Sequence, residues 1–186
     1  WTGCNLAQRA SAAPSADTAC PLLVLDADVS LVGPEGPRIV RLEDFFTGPG
    51  KTVLSQGEIL KEFIIQDFGR NTGSAYIKHT RRQAMELPIL GVAARINLIS
   101  DEETALRCRD VLCTIQTISE VLHRFEDEDL RCGDVRIAMG VVAPKPIRAR
   151  KAEDFLRGKR LTAGNVDAAA AIAVTDDRIV PARPGG

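Results

Sequence analysis

The stretch Val135-Arg136-Ile137-Ala138-Met139-Gly140-Val141-Val142-Ala143, closed by Pro144-Lys145-Pro146-Ile147-Arg148-Ala149, decides how the chain is read. Its Ile, Val, Met and Ala content suits a buried β-strand, and Pro144, with no N–H to give to a ladder, ends it. It identifies a fold element and offers no group with obvious chemistry of its own. Arg148 to Leu156 and Val166 to Val174 follow as helices, the second strengthened by its alanines. From Ile179 onward, Pro181, Pro184 and two final glycines predict a frayed tail over 179–186.

Working back from that strand, Glu102 to His123 carries Ala105, Leu106, Cys108, Val111, Leu112, Ile115, Ile118 and Leu122 at the three-and-four spacing of one helix face. Before it, Leu87 to Leu98 is an apolar run long enough for a strand buried on both faces, and Ser74 to Thr80 reads as another strand. The polar, glycine-containing segment Asp67 to Gly73 is a candidate boundary. On its amino-terminal side, Glu58 to Ile65 is a strand, Thr47 to Lys51 a loop and Leu42 to Phe46 a short amphipathic turn. Val29 to Val32 and Arg38 to Leu42, joined by Gly33-Pro34-Glu35-Gly36-Pro37, predict a hairpin. Ser15 or Asp17 can cap a short helix running to about Leu25. The organisation expected is an amino-terminal unit over 1–68, a second unit over 69–178 that includes the helix 102–123, and the tail.

The 186 residues are 45% hydrophobic and 26% charged, which excludes disordered and collagen-like classes. Lys and Arg total 24 against 25 Asp and Glu, so no excess charge drives binding to nucleic acid or an anionic membrane. No run approaches the roughly 18 apolar residues of a membrane-spanning helix. The five cysteines are odd in number and form no CxxC pair, so neither a disulfide framework nor a zinc site is expected, and a reducing, cytoplasmic setting is the simpler reading. Cys108 and Cys113 fall about 140° apart on a helix, and His79 and His123 lack partners at metal or nucleophile spacing. No metal ligand and no catalytic side chain is assigned.

Four stretches in order carry a resemblance. They are Thr2-Gly3-Cys4-Asn5-Leu6 with Pro14-Ser15-Ala16-Asp17-Thr18; Phe45-Phe46-Thr47-Gly48-Pro49-Gly50-Lys51-Thr52 with Gly57-Glu58-Ile59-Leu60; Gly73-Ser74-Ala75-Tyr76-Ile77-Lys78 with Arg81-Arg82-Gln83-Ala84-Met85-Glu86; and Arg136 through Ala149 with Ala152-Glu153. Together they resemble the flavin-binding (medium) subunit of the molybdenum hydroxylases, the family of xanthine dehydrogenases and aerobic-type carbon monoxide dehydrogenases. The resemblance implies an α+β fold: the second half of a two-subdomain FAD-binding fold, followed by a small antiparallel sheet packed on helices. The chain opens at Trp1, and the first FAD subdomain is expected upstream of it.

The same resemblance implies FAD as cofactor, with the molybdenum cofactor and 2Fe–2S clusters on partner subunits. The expected partners are an iron–sulfur small subunit and a molybdenum-cofactor large subunit, and the expected activity is that of an oxidoreductase subunit working within the complex. Electrons would pass from the clusters through FAD to NAD+ or another acceptor. A flavin-free scaffold that keeps only the fold and the subunit interface is the alternative.

Site residues follow one by one. Gly3 and Asn5, with Thr2 and Cys4, would form a diphosphate loop, since a residue lacking Cβ lets the backbone approach closely and its N–H groups converge on the oxygens. Cys4 stands where the family pattern has a second glycine. Alone, this segment is an ordinary turn. Asp17 would accept a hydroxyl of FAD, or cap a helix, or do both, and Leu60 would be an apolar contact or simply a core residue. Tyr76, the single tyrosine, lies two residues from Lys78 on a strand, so both side chains leave one face. In the family context the ring covers the isoalloxazine and the ammonium stabilises its reduced form; without it, they are a core aromatic and a solvated lysine. Arg81, Arg82 and Glu86 would border the pocket or form a solvated turn.

Overall fold

The structure, a computed structural model, describes residues 16–69, 71–80, 88–99 and 130–180. Thr2, Gly3, Cys4, Asn5, Arg81, Arg82, Glu86, the helix expected over 102–123 and the last six residues of the tail lie outside the described residues.

Helix α1 spans Ala19–Val24 and buries Ala19, Cys20, Leu23 and Val24. The expected hairpin is β1 (Asp28–Gly33) paired antiparallel with β2 (Gly36–Arg41), in register at Ser30 and Ile39. Gly36, at φ +110°, makes the turn that an L-residue resists. A four-residue helix α2 (Leu42–Phe45) follows. The expected loop 47–51 instead forms a tight two-strand ribbon, β3 (Phe46–Gly48) with β4 (Lys51–Thr52). Gly50 at φ +64° lets the chain reverse within it. Strand β5 (Ile59–Ile64) joins the other edge of β1, which completes a three-stranded sheet in the order β2-β1-β5. Val29 and Leu31, on the central strand, are fully buried.

The second sheet is antiparallel in the order β6 (Thr72–His79), β7 (Leu90–Ile99), β8 (Arg131–Gly140), β9 (Ile147–Arg148). The deciding strand begins four residues earlier than its apolar content predicts and stops before Pro144, because Val141 turns to φ +75°, a conformation a β-branched residue cannot carry along a strand. Helices α3 (Arg150–Leu156) and α4 (Ala163–Val174) end the described chain. Thr162 caps α4, its Oγ1 accepting from Asn165 N at 3.3 Å.

Register assigns the faces of the second sheet. Val92, Ile96, Val135 and Met139 point to α3 and α4, where they build one apolar cluster with Ala152, Leu156, Ala169 and Ala173. The opposite face presents Gly91, Ala93, Arg95, Arg136 and Ala138, with Tyr76 and Lys78 from β6 beside Ala93 and Gly91. Helix α1 packs on that face across β7 and β8, and Ala93 and Ala138 share a core cluster with Val29, Leu31 and Phe45. β7 is covered on both sides, as its apolar run requires, yet one of its buried positions is Arg95, 3% exposed.

Candidate functional site

Asp17 does not cap α1. The helix starts two residues later, its N-cap Thr18 has α-helical dihedrals, and no side chain caps it. The Asp17 carboxylate is instead taken by β6: Tyr76 Oη donates to Oδ1 at 3.2 Å and Lys78 Nζ to Oδ2 at 2.8 Å. Tyr76 and Lys78 thus share a face as their spacing predicts, and converge on a carboxylate some sixty residues upstream in sequence.

The ring is seated by what β7 lacks. A Cβ on Gly91 would stand 2.7 Å from Tyr76 Oη and 3.2 Å from its Cε2, so the outer edge of the phenol lies directly over the glycine backbone. Burial, aided by the negative charge of Asp17 and its hydrogen bond, pushes the Tyr76 hydroxyl up to about 12, which keeps it a neutral donor. Cys20, one helical turn on and 1% exposed, is also pushed up to about 12, first by burial and then by Asp17. Its thiol is an inert packing group rather than a nucleophile.

The chemistry of this donor set suits the expected cofactor. Each Asp17 oxygen retains a lone pair for a hydroxyl, the Asp17 and Lys78 side chains are 47% and 32% exposed, and Tyr76 offers a partly exposed aromatic surface. Leu60 stands on β5 opposite Leu31, packed on the same apolar cluster as Tyr76. Among the described residues no group of three His, Cys, Asp or Glu is placed to hold a metal ion, and no helix is long and apolar enough to cross a membrane.

At the far end of α1 lies an ionic network that the sequence reading missed. Asp26, just past the helix, accepts from Arg95 Nη2 at 3.0 Å, Arg136 Nε at 3.1 Å and Arg148 Nη1 at 3.5 Å. Asp134 accepts from Arg95 at 2.7 Å and from Arg136, and the Arg95 guanidinium lies 3.9 Å over the Phe68 ring. Glu153, 2% exposed, holds Arg148 through Nε at 3.1 Å and Nη2 at 2.7 Å, and also accepts Ile137 N at 2.8 Å. The stretch Arg136 to Ala149, read as fold without chemistry, therefore supplies two arginines of a largely buried charge cluster. A small recess lined by Leu23, Asp26, Ala27, Arg41, Leu42 and Glu43 opens beside this network, away from the residues expected to meet a ligand.

Comparison with known proteins assigns the two parts of the chain to families. Residues 2–65 match the family described as FAD binding domain in molybdopterin dehydrogenase, and residues 75–185 match the CO dehydrogenase flavoprotein C-terminal domain. The xanthine dehydrogenase FAD-binding subunit of Escherichia coli O157:H7 is 31% identical over 157 residues, 84% of this chain and 44% of that protein. The carbon monoxide dehydrogenase medium chain of Hydrogenophaga pseudoflava is 27% identical over 87% of this chain and 46% of its own length. The solved carbon monoxide dehydrogenase of the same organism, lacking the Mo-pyranopterin moiety of its molybdenum cofactor, superposes with a TM-score of 0.71 at 27% identity, covering 94% of this chain and 50% of that one. The chain spans less than half the length of the two sequence relatives.

Proposed function

Since the chain belongs to the family of FAD-binding subunits of the molybdenum hydroxylases, we propose that it helps to hold FAD in a multi-subunit oxidoreductase and serves electron transfer rather than substrate chemistry. The observation that carries this reading is the convergence of Tyr76 and Lys78, from one face of β6, on Asp17 just before α1, three side chains with complementary affinities for a polyhydroxylated aromatic ligand.

Bound FAD would supply the redox chemistry, accepting electrons from 2Fe–2S clusters of an iron–sulfur subunit and releasing them to NAD+ or another acceptor. The hydroxylation itself would belong to a subunit carrying the molybdenum cofactor. Within this chain, Asp17 accepts a ligand hydroxyl, and the Tyr76 ring shields one aromatic face from water. Lys78 holds positive charge at the site, and Leu60 offers apolar surface. The Asp17–Lys78 pair makes the site nearly neutral, so the ammonium acts as half of a dipole and not as a lone cation. Thr2, Gly3, Cys4 and Asn5 form the diphosphate loop in this reading. Residues 1–68 then make the FAD-facing unit, and 69–178 the unit that closes it, in a cytoplasmic complex.

The full-length subunit is expected to purify yellow with bound FAD, and Lys78→Met to weaken that binding. A colourless subunit that takes up no added FAD refutes the reading. The alternative is a flavin-free scaffold that keeps only the fold and the subunit interface. Flavin absorbance separates the two.

A further inference from the structure

We propose that Asp26 is a positioning residue for the candidate flavin site, acting through α1 on Asp17. The inference rests on the reading that Asp17, Tyr76 and Lys78 meet FAD, and it comes from what lies at the two ends of one short helix.

Asp17 and Asp26 bracket α1. At the first end the carboxylate is tied to the edge strand β6, through Tyr76 and Lys78. At the other it is tied to β7, β8 and β9, through Arg95, Arg136 and Arg148. The helix therefore spans all four strands of the second sheet and is pinned by directional bonds at either side. Between the pins, its contact with the sheet is apolar apart from the Cys20 thiol, which donates to Gly91 O at 4.0 Å. Ala93 and Ala138 form the floor, beside Gly91, and the helix answers with Ala19, Cys20, Leu23 and Val24. The floor side chains are small and apolar burial is non-directional, so this packing holds the register of the helix on the sheet less sharply than directional bonds do. The charged ends add strong directional bonds to that packing.

Asp26 is adapted to that task. Its backbone stands at φ +44°, where glycine or asparagine is at ease and most residues are strained. The turn is closed by Asp26 N donating to Leu23 O at 3.2 Å and Ala27 N to Leu22 O at 3.1 Å. A carboxylate at this position serves the guanidinium groups. Arg95, Arg136 and Arg148 are balanced by Asp26, Asp134 and Glu153. Of these carboxylates only Asp26 belongs to the amino-terminal unit. Removing its charge leaves the three arginines with Asp134, Glu153 and the more distant Glu43, and the pull on the end of α1 is lost. Asp17 would then drift from Tyr76 and Lys78.

The test uses Asp26→Asn, which keeps the side-chain shape and tolerates the left-handed turn. Tyr76 is the single tyrosine of the chain, so a 13C label at its Cζ reports the hydrogen bond to Asp17 in flavin-free protein. In Asp26→Asn the signal is expected to move towards its position in Asp17→Asn. In the full-length subunit, titrated with FAD, the dissociation constant is expected to rise about tenfold, with little further loss when Lys78→Met is added, because both changes break one coupled unit. An unmoved Tyr76 signal alongside a lowered melting temperature overturns the proposal, as do additive effects on FAD affinity. If Asp26→Asn fails to fold, Arg136→Lys, which keeps the charge but loses the fork, is read in the same way. A Tyr76 signal that shifts in a subunit that binds no FAD even as wild type would sink the flavin reading and leave the coupling between the two ends of α1 standing.

Discussion

Replacing Glu153 with Gln tests the ionic network by changing one oxygen. Glu153 Oε1 accepts two bonds, from Ile137 N at 2.8 Å and Arg148 Nε at 3.1 Å, while Oε2 accepts Arg148 Nη2 at 2.7 Å. Glutamine can keep its carbonyl at the first position, but its NH2 then faces another donor across the short Oε2 contact. Arg148, whose side chain is 11% exposed, is left with Asp26 at 3.5 Å and Glu43 at 3.7 Å. Breaking a buried ion pair from one side costs about 3–5 kcal/mol, and these residual partners argue for the lower end, about 3 kcal/mol. For a chain of this length that lowers Tm by about 6–12 °C. Glu153→Ala also orphans the Ile137 N–H, adding about 1–3 kcal/mol. Chemical denaturation followed by circular dichroism should rank wild type above Gln and Gln above Ala. A Glu153→Gln protein within about 1 kcal/mol of wild type would mean that Arg148 does not depend on this carboxylate, and the network as described would be wrong.

Three further outcomes follow from the same structure. Lys78→Met breaks a pair whose side chains are 32% and 47% exposed, so stability should change by less than about 1 kcal/mol while FAD affinity or flavin potential moves; an unchanged flavin excludes Lys78 from the site. Gly91→Ala places a Cβ 2.7 Å from Tyr76 Oη, so the ring should swing off Asp17, which the labelled tyrosine signal would register; an unaltered signal means the ring is seated otherwise. Arg38 and Ser55 hold the Glu58 carboxyl down at about 2 from an ordinary 4.5, and Arg178 holds Asp176 down at about 2 from 3.8. Because both folded values lie below the unfolded ones, their contribution is complete above pH 4.5 and is lost as pH falls from there to 2. The urea midpoint should fall over that window, and less steeply in Glu58→Gln; identical slopes would show that the Arg38 bond does not bear on acid stability.

What was legible in the sequence was local. Gly33 to Pro37 specifies a hairpin by turn chemistry alone, and a two-residue period puts Tyr76 beside Lys78 whatever lies elsewhere. That Asp17 leaves the helix uncapped was not legible, because the competing partners for its carboxylate stand 59 and 61 residues away on another strand. The Phe46–Thr52 ribbon was hidden by a Gly-Pro-Gly sequence that reads as loop even where two residues on either side pair.

The arginines of the network did leave a trace. Arg95 and Arg136 interrupt apolar strand runs, and a guanidinium buried in such a run must meet carboxylates somewhere. Where they would come from is suggested by the charge balance. Residues 1–68 hold five basic and nine acidic side chains, against nineteen and sixteen in the rest. That first segment is acidic enough to lend Asp26 and Glu43 to a sheet with arginine in excess, and Asp26 meets Arg136 and Arg148 across 110 and 122 residues. Composition could indicate that the two segments attract each other; only the register of β7 on β8, which sets Arg95 beside Arg136, shows that the attraction is focused on the end of the helix whose other end carries Asp17.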